Sequence, residues 1–200
     1  MGTLLSTIIF QPPTCTYPLS PPFFLYKNLA YFHIENKTAE YTLLFSHGNA
    51  EDIGIIYLYF YELSKRLNVN VISYDYSGYG KSKGQMNEDQ VYRNITTMYN
   101  YATIIKKIPA LKLLLYGRSL GSGPTLYLAQ CIPNVQLGGI ILQSPFLSIY
   151  RVAFPFKRSM IGDLFCNADR IKYIHAPITI IHGTKDEVVP FWHGEVILLY

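Results

Sequence analysis

Charge is scarce in this chain. Only 15% of its 200 residues are Asp, Glu, Lys or Arg, and none of residues 1–26 is charged. Half of the residues are hydrophobic, so the shortage does not read as disorder, which needs low hydrophobicity. Cysteine is scarcer still. Cys15, Cys131 and Cys166 are too few and too far apart for a disulfide framework or a metal-ligand spacing, and a reducing compartment is the simpler reading. Basic residues are scattered along a chain of net charge +4, which argues against a nucleic-acid partner. No apolar run reaches the roughly 18 residues that span a bilayer. The start lacks the positive charge of a signal peptide.

What the first 26 residues do contain is proline. Pro12, Pro13, Pro18, Pro21 and Pro22 exclude a long helix. Met1-Gly-Thr-Leu-Leu-Ser6 fits the N-myristoylation pattern, which makes Gly2 a lipidation candidate. One myristoyl chain holds a membrane only marginally, so a second contact is expected, either an acyl chain on Cys15 or the aromatics Phe23 and Phe24. The alternative is that these residues wrap the core. The chain therefore divides into an uncharged, Pro-rich segment over 1–26 and a folded domain over 27–200.

Apolar runs set the architecture of that domain. Thr42–Ser46, Val69–Tyr74, Leu113–Tyr116, Gly139–Gln143 and Ile178–His182 read as buried parallel strands, with Tyr31–Ile34 as an edge strand. Helical patterns over 54–67, 88–105, 125–130 and 192–200 lie between or after them. Strands alternating with helices about every 30 residues predict an α/β fold with a mainly parallel sheet covered on both faces. Asn49, Asp75, Ser119, Ser144 and Asp186 each follow a strand, so they are expected on one rim of the sheet.

Gly117-Arg-Ser-Leu-Gly121 is the segment that carries chemistry. A G-x-S-x-G pattern between a strand and a helix places its serine on a sharp turn, where the hydroxyl projects clear of the sheet. Side chains at 117 and 121 would collide with the neighbouring strand and helix. Ser119 is the candidate nucleophile. Asp186, in Gly183-Thr-Lys-Asp-Glu after a later strand, is the candidate acid, a turn-forming or capping role being the alternative. The Leu120 N–H and a backbone N–H of the His47-Gly-Asn loop, that of Asn49, are the candidate oxyanion donors. No metal and no cofactor are implied.

Five segments together resemble the α/β-hydrolase superfamily, and more narrowly the alpha/beta-hydrolase domain-containing protein 17 family. They are Leu44-Phe-Ser-His-Gly-Asn-Ala, Tyr74-Asp-Tyr-Ser-Gly-Tyr-Gly-Lys-Ser, Tyr116-Gly-Arg-Ser-Leu-Gly-Ser, Arg151-Val-Ala-Phe-Pro and Ile181-His-Gly-Thr-Lys-Asp-Glu-Val. The resemblance implies an α/β-hydrolase fold and a serine hydrolase that removes palmitate from protein cysteines. Its partners would be S-acylated proteins and the membrane surface, on the cytoplasmic face. Family members attach through an N-terminal cysteine cluster, where this chain has Cys15 alone. The family's catalytic histidine follows a further strand past the Asp186 helix. The resemblance therefore implies that the last strand and helix are missing here and that residues 1–200 hold no catalytic histidine. His33, His47, His175, His182 and His193 are each expected to be structural. Two other functions fit the same residues: a hydrolase-like protein that binds an acyl chain or a partner without turnover, and a carboxylesterase or serine peptidase.

Overall fold

The computed structural model describes residues 9–132, 137–153 and 162–199. The alternation of apolar runs with amphipathic stretches resolves into one mixed sheet with helices on both faces. In chain order its strands are β1 (Phe23–Tyr26), β2 (Leu29–Ile34), β3 (Tyr41–Ser46), β4 (Val69–Tyr74), β5 (Leu113–Arg118), β6 (Gly139–Gln143) and β7 (Ile178–Ile181). Their spatial order is β1-β2-β4-β3-β5-β6-β7, with β4, β3, β5, β6 and β7 parallel and the β1–β2 hairpin antiparallel at one edge.

The register explains why the central strands are mainly apolar on both faces. Leu43, Phe45 and Val71 face helix α1 (Ile53–Leu67) and pack with its Ile53, Ile56 and Phe60. Leu44, Ile72, Leu115 and Leu142 face the other layer, made by α2 (Glu88–Asn100) and α3 (Ser122–Cys131). Both faces of the strands are thus buried, as parallel sheets require. Asp52 caps α1 by accepting the Ile55 N–H at 3.0 Å, and Asn68 ends it in the left-handed conformation. Three short helices complete the fold: α4 (Ile149–Ala153), α5 (Asn167–Arg170) and α6 (Trp192–Leu198).

All five expected parallel strands are present, two with the expected bounds and three with one end shifted by one or two residues. The expected helix over 88–105 divides into α2 and a π-helical turn at Tyr101–Ile105. Tyr31–Ile34 was expected at the edge, but β2 lies inside the sheet because Phe23–Tyr26 pairs alongside it. The boundary drawn at 26/27 thus falls inside that hairpin. Phe23 is accordingly buried against Tyr17, Phe32 and Tyr57 rather than available to a membrane, while Phe24, on the other face of β1, stays 44% exposed.

A buried polar knot fixes the N-terminal segment to the sheet. Asp75, fully buried at the end of β4, accepts the Tyr17 hydroxyl at 2.5 Å and the Ile53 N–H at 2.9 Å. His47 Nε2 lies 3.3 Å from the same carboxylate. Burial first, and then the Asp75 charge, push the Tyr17 phenol far above its ordinary value, so it stays a donor.

Candidate active site

Strand β5 runs straight into the nucleophile turn. Ser119 has φ 49°, the left-handed region, which a residue with a side chain occupies only when its surroundings impose it. They do so here. A Cβ on Gly121 would stand 2.0 Å from the Ser46 carbonyl oxygen, and one on Gly117 would stand 2.5 Å from the Gly121 carbonyl oxygen. The turn is therefore pressed against the end of β3 on one side and against the start of α3 on the other. Ser119 is half-buried at the head of a 3₁₀ turn (Ser119–Gly121) that leads into α3. The Ser122 hydroxyl donates to the Ser119 carbonyl at 2.7 Å and tightens that turn.

The loop after β3 emerges beside this turn, because Ser46 pairs with Gly117 in the parallel register. It holds the first candidate oxyanion donor, the Asn49 N–H. The second, the Leu120 N–H, sits at the opening of the 3₁₀ turn, where the first N–H groups have no acceptor within the helix. His47, Gly48 and Asn49 of this loop are each held. The His47 carbonyl accepts the Tyr76 hydroxyl at 2.7 Å. Glu51 Oε2 accepts the Gly48 N–H at 3.2 Å and pairs with the guanidinium of Arg118, the residue before the serine. The Asn49 side chain accepts the Tyr79 hydroxyl at 2.6 Å.

Asp186 reaches the same rim from β7. The Ser144 N–H donates to the Ile181 carbonyl at 2.8 Å, joining the ends of β6 and β7. Two strand spacings, about 10 Å, separate β5 from β7, and one imidazole bridges a gap of that order between nucleophile and acid. Partial burial works to raise the Asp186 carboxyl, but the Val189 N–H, the Ser144 hydroxyl and the Val188 N–H overcome it and hold it below its ordinary value. Val189 and Val188 donate to Asp186 Oδ1 at 2.9 and 3.0 Å. Ser144, itself at φ 46°, is thus a support for the acid that the sequence marked only as a strand-end residue. The Glu51–Arg118 pair escaped the sequence altogether, since nothing in a G-x-S-x-G pattern says what its second residue binds.

The histidines are engaged elsewhere. His47 stacks on Tyr76 beside Asp75. His182 Nε2 lies 2.8 Å from the Val189 carbonyl and 3.7 Å from Asp186. His193, fully buried on α6, accepts the Leu147 N–H at 3.2 Å through Nδ1. His33 lies on β2 against Glu35. His175 is exposed just before β7, at the end of the sheet away from Ser119.

Gly2 lies outside the described residues. Cys15 is half-buried, with its thiol donating to the Tyr17 carbonyl at 3.3 Å. Among the described residues no three His, Cys, Asp or Glu side chains converge as a metal site, and no helix is long and apolar enough to cross a membrane.

Comparison with known proteins agrees with this fold. The family model described as serine aminopeptidase, S33, matches residues 37–167. Alpha/beta hydrolase domain-containing protein 17B of Homo sapiens is 43% identical over 157 residues, which are 78% of this chain and 54% of that protein. The 17C protein of Homo sapiens is 40% identical over 158 residues, 78% of this chain and 47% of that one. The chain thus spans about half the length of the curated relatives it matches. An α/β hydrolase from Vibrio vulnificus superposes with a TM-score of 0.71 at 18% identity, covering 88% of this chain and 67% of its own. An α/β serine hydrolase homologue from Coxiella burnetii gives 0.67 at 18% identity, covering 92% and 84%. At that identity the two structures speak for the fold alone.

Burial pushes the imidazoles of His193 and His33 down to about 4. Between pH 6.5 and 4 the unfolded chain therefore binds protons at these positions that the folded chain does not. Stability is full above about pH 6.5 and falls as pH drops through that window. Melting curves from pH 7 to pH 4 should show Tm falling, by roughly 2–4 °C for each kcal/mol lost, and His193→Asn should flatten the fall. An unchanged Tm across the window contradicts the burial argument.

Proposed function

This chain belongs to the α/β-hydrolase superfamily, among the alpha/beta hydrolase domain-containing 17 proteins, and on that premise we propose that it is a serine hydrolase working through Ser119. The observation that carries the reading is the left-handed Ser119 held between two glycines that tolerate no Cβ. The finer reading is an acyl-protein thioesterase acting on S-acylated proteins, and it rests on the family resemblance. In that reaction Ser119 Oγ attacks the thioester carbonyl and passes its proton to a base. The oxyanion is received by the Leu120 and Asn49 N–H groups. The C–S bond breaks, the thiolate takes the proton, and water later releases the acyl group from Ser119 by the same steps.

Asp186, held ionised, is the group that would orient the base. The five histidines have other partners or lie away from Ser119, and the chain spans about half of its relatives' length, so we place the base outside residues 1–200. Palmitoyl-thioester hydrolysis should be abolished by Ser119→Ala in a protein carrying its base. Residues 1–200 alone should turn over slower by a factor on the order of 10³ or more, because nucleophile and base act as a unit. Robust Ser119-dependent turnover by residues 1–200 would mean that one of the five histidines serves, His193 first. The description of the family model favours one second reading, a peptidase. Faster release from an aminoacyl amide than from a thioester would select it.

Peripheral attachment to the cytoplasmic face of a membrane completes the proposal. It is supported by the uncharged stretch over 1–26, by the Gly2 and Ser6 pattern and by exposed Phe24. Myristate-analogue labelling should be lost in Gly2→Ala. Equal labelling of the two proteins rejects the Gly2 assignment.

A further inference from the structure

The segment before β1 meets the sheet at three polar points. The first is the Asn49 side chain, whose Nδ2 donates to the Ile9 carbonyl at 2.6 Å and whose Oδ1 accepts the Gln11 N–H at 3.0 Å. A primary amide can do this because it carries a donor and an acceptor in one plane, and here they pair with backbone groups two residues apart. The second is Asp52, which accepts the Thr16 N–H at 2.7 Å and the Thr16 hydroxyl at 2.5 Å while capping α1. The third is Asp75, which accepts the Tyr17 hydroxyl. Between the amide contacts Phe10 is buried, 2% exposed, with its ring edge-on to Phe165 at 6.1 Å. Phe165 in turn sits edge-on to Phe146 and Tyr92.

Two of these three points, Asn49 and Asp52, lie on the loop between β3 and α1, the loop that carries the candidate oxyanion donor. Any N-terminal segment must pack somewhere. This one satisfies the side chain of the very residue whose N–H is the candidate oxyanion donor. The other supports of that loop bond to its neighbours, Tyr76 to the His47 carbonyl and Glu51 to the Gly48 N–H. Among the described residues, the hydrogen bonds to its side chain come from Tyr79 and from residues 9–11.

We propose that residues 9–17 are a positioning strap for the oxyanion loop: docking of Ile9 and Gln11 on the Asn49 side chain, secured by Phe10, sets the Asn49 N–H at the distance the oxyanion needs. The inference rests on the reading of Ser119 as nucleophile and Asn49 as donor, and it deepens that reading. It makes the segment that leads from the candidate lipidation site part of the catalytic scaffold. A pull or release at the N-terminus then reaches the oxyanion hole through two hydrogen bonds, with no domain movement. Asn49, Ile9, Phe10 and Gln11 act through the loop and are positioning residues.

The test compares the parent protein with Phe10→Ala, Phe10→Leu and Asn49→Asp. The aspartate keeps the acceptor for Gln11 and Tyr79 but sets an oxygen against the Ile9 carbonyl. Hydrogen exchange is read first on the folded chain, well below Tm. Phe10→Ala and Asn49→Asp should each speed amide exchange across 47–51 while leaving β4 at the parent rate, and Phe10→Leu should restore most of the protection. Unchanged exchange across 47–51 overturns the strap whether or not the protein is active. Thioester turnover is read next on the protein that carries its base. The expected result is a tenfold or greater fall in kcat with KM within about twofold, because the oxyanion forms only in the transition state. An unchanged kcat, or a rise in KM that accounts for the whole loss, overturns the proposal. A base-carrying parent without Ser119-dependent turnover counts against the serine-hydrolase reading, and the exchange result then stands as the test of the strap.

Discussion

The contact on which the rest of the structure depends is the approach of Gly121 to the Ser46 carbonyl. A single methyl group there would sit 2.0 Å from that oxygen. The approach brings the turn after β5 against the end of β3, and so places the nucleophile turn beside the loop that follows β3. It also forces Ser119 into the left-handed region, because the chain must reverse from strand to helix within the space the two glycines leave. Register adds the second half. Ser46 opposite Gly117 and Arg118 opposite Gln143 align three strand ends on one rim, where the loops after them carry the donor, the nucleophile and the supports of the acid.

Rigidity at this rim comes from buried and half-buried polar groups tied to one another across the loops. Asp75 takes donors from the N-terminal segment and from the start of α1, with the imidazole of His47 beside it. Glu51 links the oxyanion loop to Arg118. Ser144 and two valine N–H groups hold Asp186 as a carboxylate. Removing one partner from such a set leaves a desolvated charge or dipole, which costs more than an ordinary hydrogen bond contributes. Preorganisation of this kind is what an oxyanion hole needs, since donors already in place pay no reorganisation cost when charge develops.

Much of this was legible in the sequence, and for identifiable reasons. Val69–Tyr74 and Gly139–Gln143 were readable to the residue because short runs rich in Val and Ile and bounded by turn residues read as strands of a doubly covered sheet. The serine turn was readable because only Gly-x-Ser-x-Gly satisfies its steric limits. The N-terminal edge was not, since Phe23–Tyr26 lies among prolines that argue against regular structure, and its pairing depends on a partner in β2 rather than on its own pattern. Long-range polar contacts were equally hidden. The Asn49 amide reaching Ile9 and Gln11, and Glu51 reaching Arg118, join residues distant in sequence by bonds that leave no periodic trace.

The central claim is that Ser119 is acylated during turnover with its oxyanion held by the Leu120 and Asn49 N–H groups. Rapid acid quench of the full protein with a palmitoyl-thioester, followed by mass spectrometry of the peptides, tests it most directly. The account predicts a palmitoyl adduct on the peptide containing Ser119, rising before steady state and absent from Ser119→Ala. Hydrolysis that persists in Ser119→Ala, or an adduct that forms on another residue, would contradict it.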